Sequence, residues 1–195
     1  MLNSNFVILG TLIGAVGTVS YIIDTVKGKI KPNKVSFLLW SIAPLIAFAA
    51  QLKQGVGIES LMTFSTGFLP LLVFFASFVN KKSVWQITKF DVTCGILSLV
   101  GLGLWLITKN SNLAIVFSIV ADGLAALPTV VKSYKNPETE SAWPWLASSV
   151  GVVLTLLTIK IWTFANSSFI IYIFIVNMII FSLVKFKVGG LKKNL

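Results

Sequence analysis

Long apolar stretches recur along the whole chain, and each ends in a short segment rich in lysine or turn residues. Each stretch is about 17 to 25 residues long, enough for a helix to cross roughly 30 Å of hydrocarbon. The pattern predicts seven membrane-spanning helices, at residues 6–23, 35–52, 58–79, 92–107, 113–131, 141–164 and 169–184. Because Lys89 and Asp91 blur the start of the fourth helix, an interfacial helix that begins near Val84 is an alternative.

The composition agrees with a chain that lies mostly in lipid. Of its 195 residues 56% are hydrophobic and 11% are charged, a mixture that cannot cover a water-soluble surface. The residues before the first apolar run carry no basic group, so we expect that run to be a mature helix and not a cleaved signal. Cys94 is the single cysteine and there is no histidine. We therefore expect no disulfide within the chain, no thiolate metal site and no cofactor.

The net charge of +10 comes from lysines in short loops. No basic helix or aromatic RNA-binding signature accompanies them, so nucleic acid is not an expected partner. Three lysines fall on one side of the predicted helices, namely Lys53, Lys109 and Lys160. The other side holds Lys27, Lys29, Lys31, Lys34, Lys81, Lys82, Lys89, Lys132, Lys135, Lys185, Lys187, Lys192 and Lys193. Cytoplasmic loops retain positive charge, so we expect a cell-membrane protein with its N-terminus outside and its C-terminus in the cytoplasm. On this topology Lys160 snorkels to the outer interface.

The chain contains an internal repeat. Residues 22–40 align without a gap on residues 127–145, and the offset is 105 throughout. The matched pairs include Val26 and Val131, Lys27 and Lys132, Pro32 and Pro137, Ser36 and Ser141, and Trp40 and Trp145. Ser77 and Ser182 continue the same offset, so the similarity extends beyond one loop and indicates a duplicated unit.

Each copy contains three helices, and an odd number of helices reverses the direction of the chain. A second copy in the same orientation therefore needs one extra crossing between the two. We predict an all-α membrane protein of 3+1+3 helices, with a first unit at 1–82, a linker helix at 83–110 and a second unit at 111–195. Parallel repeats of this kind place a substrate site near the bilayer midplane, between the halves.

With this arrangement and a proline-containing loop in each half, the chain resembles the SWEET and PQ-loop family of transporters, as a divergent bacterial-type member. Residues 127–135, LPTVVKSYK, look like the Pro-Gln loop of that family, with Thr129 where glutamine is usual. In the first repeat Ile23 and Asp24 replace the Pro-Gln pair.

In SWEET-like carriers, prolines in the first two helices of each unit act as bending points, and an asparagine in the third helix faces the substrate. The resemblance implies hinges at Pro128 and Pro144 in the second unit and at Pro44 in the first. It also implies a substrate contact at Asn177, whose match in the first unit is Leu72. Pro70, Pro128 and Pro144 are expected to interrupt their helices, and at these positions a static kink is the alternative to a moving hinge.

Asp122 is the only acidic residue deep in a predicted span, near the bilayer centre. An ionised carboxylate there is costly, so we expect it to face a cavity or a partner, or to carry a proton. Ser118, Asp122 and Thr129 share one helix face and form a polar stripe that is able to line a path. The alternative is a hydrogen bond between helices with no role in transport.

Three further features allow a structural and a functional interpretation. Asn177 lies in an otherwise apolar run, where it either contacts substrate or bonds a neighbouring helix. Trp40 and Trp145 begin their helices, as an aromatic belt would, yet the matched pair could also form a gate at the cytoplasmic mouth. Gly10, Gly14 and Gly17 have the small-residue spacing that permits close helix packing.

An intramembrane enzyme needs metal ligands, a nucleophile with its base, or paired carboxylates at depth, and this sequence offers none of them. The sequence favours a transporter or facilitator of a small, neutral, sugar-like solute, with Asp122, Asn177, Ser118, Trp145 and Trp40 at its site. A vitamin carrier of the nicotinamide riboside type and a sorting receptor for peptides are the alternatives. The expected partners are the solute and membrane lipids. The oligomeric state stays open, and a homo-oligomer is compatible with the sequence.

Overall fold

The structure is a computed structural model that describes residues 5–53, 60–108 and 111–189. These residues form seven α-helices and two short 3₁₀ turns, and they contain no β-strand. The helices are α1 Asn5–Val26, α2 Lys34–Lys53, α3 Ser60–Ala76, α4 Lys89–Ile107, α5 Ser111–Lys135, α6 Trp143–Leu156 and α7 Phe164–Lys185. Lys109, Lys192 and Lys193, and the first residues of the predicted third span, lie outside the described residues.

The distribution of polar and apolar residues is the reverse of that in a water-soluble protein. Large apolar side chains point outward, as on the exposed face of α1 that holds Ile8, Leu12 and Val16. Polar side chains are buried, with Thr25 and Thr129 fully enclosed. Backbone and side-chain polar groups are costly in hydrocarbon, so they are satisfied within the helix bundle. This is the arrangement expected of a protein surrounded by lipid.

Four helical segments are long and apolar enough to cross a membrane, and the all-helical membrane character predicted from the sequence agrees with them. They are Phe6–Val26, Lys89–Ile107, Ile115–Lys135 and Ser167–Lys185. Three shorter apolar helices, Lys34–Ile46, Phe64–Ala76 and Trp143–Leu156, accompany them among the described residues.

Two predicted boundaries are wrong. The sixth span was expected to run to residue 164, but α6 ends at Leu156, and Lys160 is an exposed residue of the loop that follows. The alternative start of the fourth span near Val84 is also wrong, because Thr88 caps a helix that begins at Lys89. The Thr88 hydroxyl accepts from the Asp91 N–H at 3.3 Å while the Asp91 carboxylate accepts from the Thr88 N–H at 2.7 Å. This reciprocal cap fixes the first turn of α4.

The helices pack in the same way in the two halves of the chain. In the first half α3 contacts both α1 and α2, and in the second half α7 contacts both α5 and α6. Between the halves α1 packs on α6 and α2 packs on α5, while α4 lies against α5 and α2. Helices of both halves therefore surround the centre of the molecule.

The seam between α1 and α6 is unusually close because glycines face each other across it. A Cβ atom added at Gly10 would lie 2.7 Å from the carbonyl oxygen of Gly151, which is a clash. A Cβ at Gly17 would lie 2.7 Å from the Cβ of Ala147. The packing role predicted for Gly10 and Gly17 is confirmed. Gly14 differs, because an added Cβ there would have no neighbour within 4 Å.

Candidate functional site

A cavity of about 410 Å³ lies between the two halves of the chain and contains four of the five residues that we expect to contact substrate. Those four are Asp122, Asn177, Trp40 and Trp145. The residues around them include Thr11, Gly14, Thr18, Pro44, Thr66, Pro70, Ser148, Gly151, Thr155, Phe169 and Ile173. The cavity therefore brings together residues from α1, α2, α3, α5, α6 and α7.

Ser118, the fifth residue, lies in an adjoining cavity of about 400 Å³ among α2, α4 and α5. The two cavities share Trp40, Pro44, Thr66, Asp122 and Phe169 in their walls. Asp122 thus stands where the two spaces meet. We define the central cavity as both spaces together.

The carboxyl group of Asp122 has neighbours from two other helices. The Tyr172 hydroxyl on α7 donates to Asp122 Oδ2 at 2.8 Å, and Trp40 on α2 lines the same two spaces. Both side chains are neutral. They fix the position of the carboxyl group, but they leave the charge of an ionised carboxylate uncompensated.

Asn177 also lines the cavity, from α7. Its side chain is 6% exposed, and its Nδ2 atom donates to Ser148 Oγ on α6 at 2.9 Å. An amide has two donor hydrogens and an acceptor oxygen, so this bond uses only part of its capacity. Asn177 both joins α6 to α7 and presents an amide at the cavity wall.

Thr129 does not line the cavity, although the sequence placed it in one polar stripe with Ser118 and Asp122. Its hydroxyl donates to Ser36 Oγ at 2.9 Å and joins α5 to α2. Seven residues separate Thr129 from Asp122, which is about two turns or 10 Å along the helix, enough to carry it past the end of the cavity. The stripe is divided between the cavity and a helix contact.

The prolines occupy three different environments. Pro44 lies within α2 and lines the cavity, and Pro128 lies fully buried within α5. Pro144 lies in the first turn of α6, where no intrahelical hydrogen bond is lost to a missing N–H. The expectation that Pro144 interrupts its helix is therefore wrong.

An aromatic cluster separates the central cavity from the loops that carry most of the lysines. The rings of Trp40 and Trp145 meet edge to face with centroids 5.8 Å apart. Tyr21 contacts Trp145 at 6.4 Å, and Phe37 contacts Trp40 at 5.3 Å. We call the end beyond these rings the lysine-rich end. The α1 and α6 residues that line the central cavity lie on the other side of these rings, away from the lysine-rich end.

A buried charged network lies behind the aromatic cluster, at the lysine-rich end. The Nζ atom of Lys132 donates to Glu140 Oε2 and, at 2.6 Å, to the Lys31 carbonyl oxygen. The Tyr21 hydroxyl donates to the other oxygen of Glu140. The side chains of Lys132 and Glu140 are both fully buried, and the N–H of Lys31 donates to the Thr139 carbonyl at 2.8 Å. This end of the molecule is closed.

Tyr172, Tyr21 and Glu140 were not among the residues predicted from the sequence. Tyr172 stands five residues before Asn177 in the same apolar run, and a hydroxyl at such a position signals a hydrogen-bond partner. Glu140 follows Lys132 within a lysine-bearing loop, where one acidic residue signals local pairing. Lys132 was counted among the loop lysines that indicate membrane orientation, and it was therefore expected to be solvated.

Comparison with protein-family models, with curated protein sequences and with solved structures finds no match. We therefore infer function from the geometry of this chain.

Proposed function

We propose that this protein is a membrane transporter or facilitator of a small solute, working by alternating access between two three-helix units joined by a linker helix. The proposal assigns α1–α3 and α5–α7 to the units and α4 to the linker. Support comes from the shared packing order, in which the third helix lies against the first two, and from the contact between the matched residues Trp40 and Trp145.

The observation that carries the proposal is a cavity between the halves that ends at a layered closure. Asp122 and Asn177 line its walls, and Trp40 and Trp145 meet across one end. A carrier needs a site between two moving bodies and a closure that opens on one side at a time. Because the closure contains no covalent link, movement of one unit relative to the other is able to open it.

Two rival functions fit the cavity differently. A peptide receptor is expected to have a strongly charged cavity, whereas the lining residues within the described part of the chain include a single charged side chain, Asp122. Tryptophans beside Asp122 favour a carrier of the nicotinamide riboside type over a sugar carrier, since aromatic faces stack on planar rings. That carrier is the second candidate.

Alternating access is testable without a known substrate. In a Cys94→Ser background, Thr18→Cys places a thiol on the cavity wall, and a small impermeant methanethiosulfonate is applied to sealed vesicles of each orientation. A carrier exposes position 18 to both sides in turn, so modification, read by mass spectrometry of that peptide, is expected from both sides.

A cross-link isolates the closure. Lys31 and Thr139 share a backbone hydrogen bond, so cysteines at both positions meet the distance requirement of a disulfide. Oxidation is expected to stop modification of position 18 from the lysine-rich end and to leave modification from the other end unchanged. Lys31→Cys alone, treated with the same oxidant, is the control. Modification from one side only, under all conditions, would contradict alternating access.

A further inference from the structure

The central cavity has an uncompensated negative group. Among the described residues that line it, Asp122 is the only one with a charged side chain, and the rest are apolar, aromatic, hydroxyl or amide groups. The buried cation at the lysine-rich end is not available to it, because Lys132 is bonded to Glu140 and to a backbone carbonyl. The cavity therefore offers a single negative charge to whatever enters it.

The neighbours of Asp122 fix its position without neutralising its charge. Tyr172 donates to its Oδ2 at 2.8 Å, and Trp40 from another helix lines both spaces with it, so the carboxyl group is oriented before a ligand arrives. A buried carboxylate held only by neutral donors gains most from a cationic partner, because attraction between opposite charges is strong where water is excluded.

Aromatic side chains from several helices also line the central cavity. Trp40, Trp145 and Phe169 line the main space, and Trp105 lines the adjoining one. Aromatic faces attract cations that are weakly hydrated, and tryptophan does so most strongly. Each space, at about 400 Å³, has the volume of a small-molecule site.

From this combination of one carboxylate, several aromatic rings and no basic side chain among the described lining residues, we propose that the central cavity binds a small organic cation of the quaternary ammonium type. The proposal names the substrate class of the transporter proposed above and therefore rests on it. It replaces the neutral solute that the sequence favoured, because a neutral sugar leaves the charge of Asp122 unmatched.

The sharpest test compares two ligands that differ only in charge. Choline and 3,3-dimethylbutan-1-ol have the same shape, with a quaternary nitrogen in the first and a quaternary carbon in the second. Binding to the purified wild-type protein in detergent is followed by tryptophan fluorescence and by calorimetry. Choline is expected to bind at least about tenfold more tightly, a difference of about 1.4 kcal/mol. Equal binding of the two ligands, or binding of the neutral one alone, would overturn the proposal.

Variants then assign the charge. Asp122→Asn keeps the shape and accepting oxygen of the side chain and is expected to weaken choline binding by about tenfold, with little effect on the neutral alcohol. Asp24→Asn is the matched control, because Asp24 pairs with Lys29 at the surface of the lysine-rich end. Gel filtration and unliganded melting curves check that each variant folds. Unchanged choline binding in folded Asp122→Asn would remove Asp122 from the site.

Uptake into proteoliposomes separates this inference from the proposed function. Choline that binds but never crosses the membrane would refute transport of this ligand and leave the cation site intact. Transport of neutral solutes without any choline binding would refute the cation site and leave the carrier intact.

Discussion

Trp40 and Trp145 meet edge to face with their ring centroids 5.8 Å apart, although they occupy matched positions in the two repeats. Their surroundings differ. Trp40 lines both spaces of the central cavity, as Asp122 does, whereas Trp145 lines one of them, and its N–H is buried without a hydrogen-bond partner among the described residues. Two residues that the repeat makes equivalent therefore have unequal roles at the cavity.

This inequality predicts different effects of the same substitution. Trp40→Phe replaces the indole that lines both spaces with Asp122 and is expected to weaken choline binding several-fold, because a phenyl ring attracts a cation less strongly than an indole does. Trp145→Phe changes a ring that lines one of the spaces and is expected to have a smaller effect. Calorimetric titration of both variants makes the comparison. A larger loss from Trp145→Phe would contradict the role assigned to Trp40.

Because Lys132 and Glu140 form a buried pair, we expect loss of the lysine charge alone to destabilise the protein strongly. We expect removal of the glutamate charge as well to restore part of that stability. Lys132→Met leaves Glu140 charged and buried, at a cost of about 3 to 5 kcal/mol. Adding Glu140→Gln removes the stranded charge, so the double variant is expected to melt at a higher temperature than Lys132→Met. Thermal unfolding in detergent measures all three proteins.

The control for that experiment is Lys29→Met, which breaks an exposed pair with Asp24. Exposed pairs contribute about 1 kcal/mol or less, so its melting temperature is expected to stay close to that of the wild type. If Lys29→Met and Lys132→Met destabilise the protein equally, burial does not determine how much the pair of Lys132 and Glu140 contributes to stability.

The glycine seam between α1 and α6 gives a matched pair of substitutions on one helix. Gly10→Ala places a methyl group 2.7 Å from the Gly151 carbonyl oxygen and is expected to cost about 1 to 3 kcal/mol through overpacking. Gly14→Ala adds the same group where nothing lies within 4 Å, and is expected to be neutral or slightly stabilising. Melting temperatures in the same detergent decide, and the reverse order would contradict the close approach of the two helices.

The lysine distribution predicts the orientation of the protein in the cell membrane. In a Cys94→Ser background, an impermeant thiol reagent added to intact cells is expected to modify Lys160→Cys and to spare Lys82→Cys. Both positions are exposed, so accessibility within the protein does not separate them. Permeabilised cells are expected to show modification of both. The opposite labelling in intact cells would reverse the topology.

Pro128 within α5 and Pro144 in the first turn of α6 allow hinge and kink to be separated. Pro128→Ala restores a helical hydrogen bond within α5 and is expected to slow modification of Thr18→Cys from the lysine-rich end, with protein yield unchanged. Pro144→Ala, in the first turn of α6, is the comparison and is expected to alter the rate less. An equal fall in yield and rate for Pro128→Ala would indicate a structural kink.

The sequence predicted the helices well because lipid imposes a long apolar run on every crossing. It predicted the sixth helix badly, since the apolar loop after Leu156 has the same composition as a helix and contains no glycine or proline to mark the end. The start of α4 was predictable, because Thr88 and Asp91 have the spacing of a capping box.

The cavity residues were partly predictable for a related reason. Asp122 and Asn177 stand out because polar groups are rare at membrane depth, and both line the cavity. Thr129 stands out equally, yet it bonds Ser36. A polar residue in an apolar helix predicts a partner, but the one-dimensional pattern does not say whether that partner is a side chain or a ligand.

The contacts of α1 have a consequence for how the protein is made. Tyr21 and Glu140 are 119 positions apart, and the glycine face of α1 fits against α6, so the ribosome completes the first helix long before its main partner exists. During that interval the glycine groove and the tyrosine hydroxyl of α1 face lipid or a helper protein. The nascent first half is therefore an unfinished product that matures only when α6 and its preceding loop arrive.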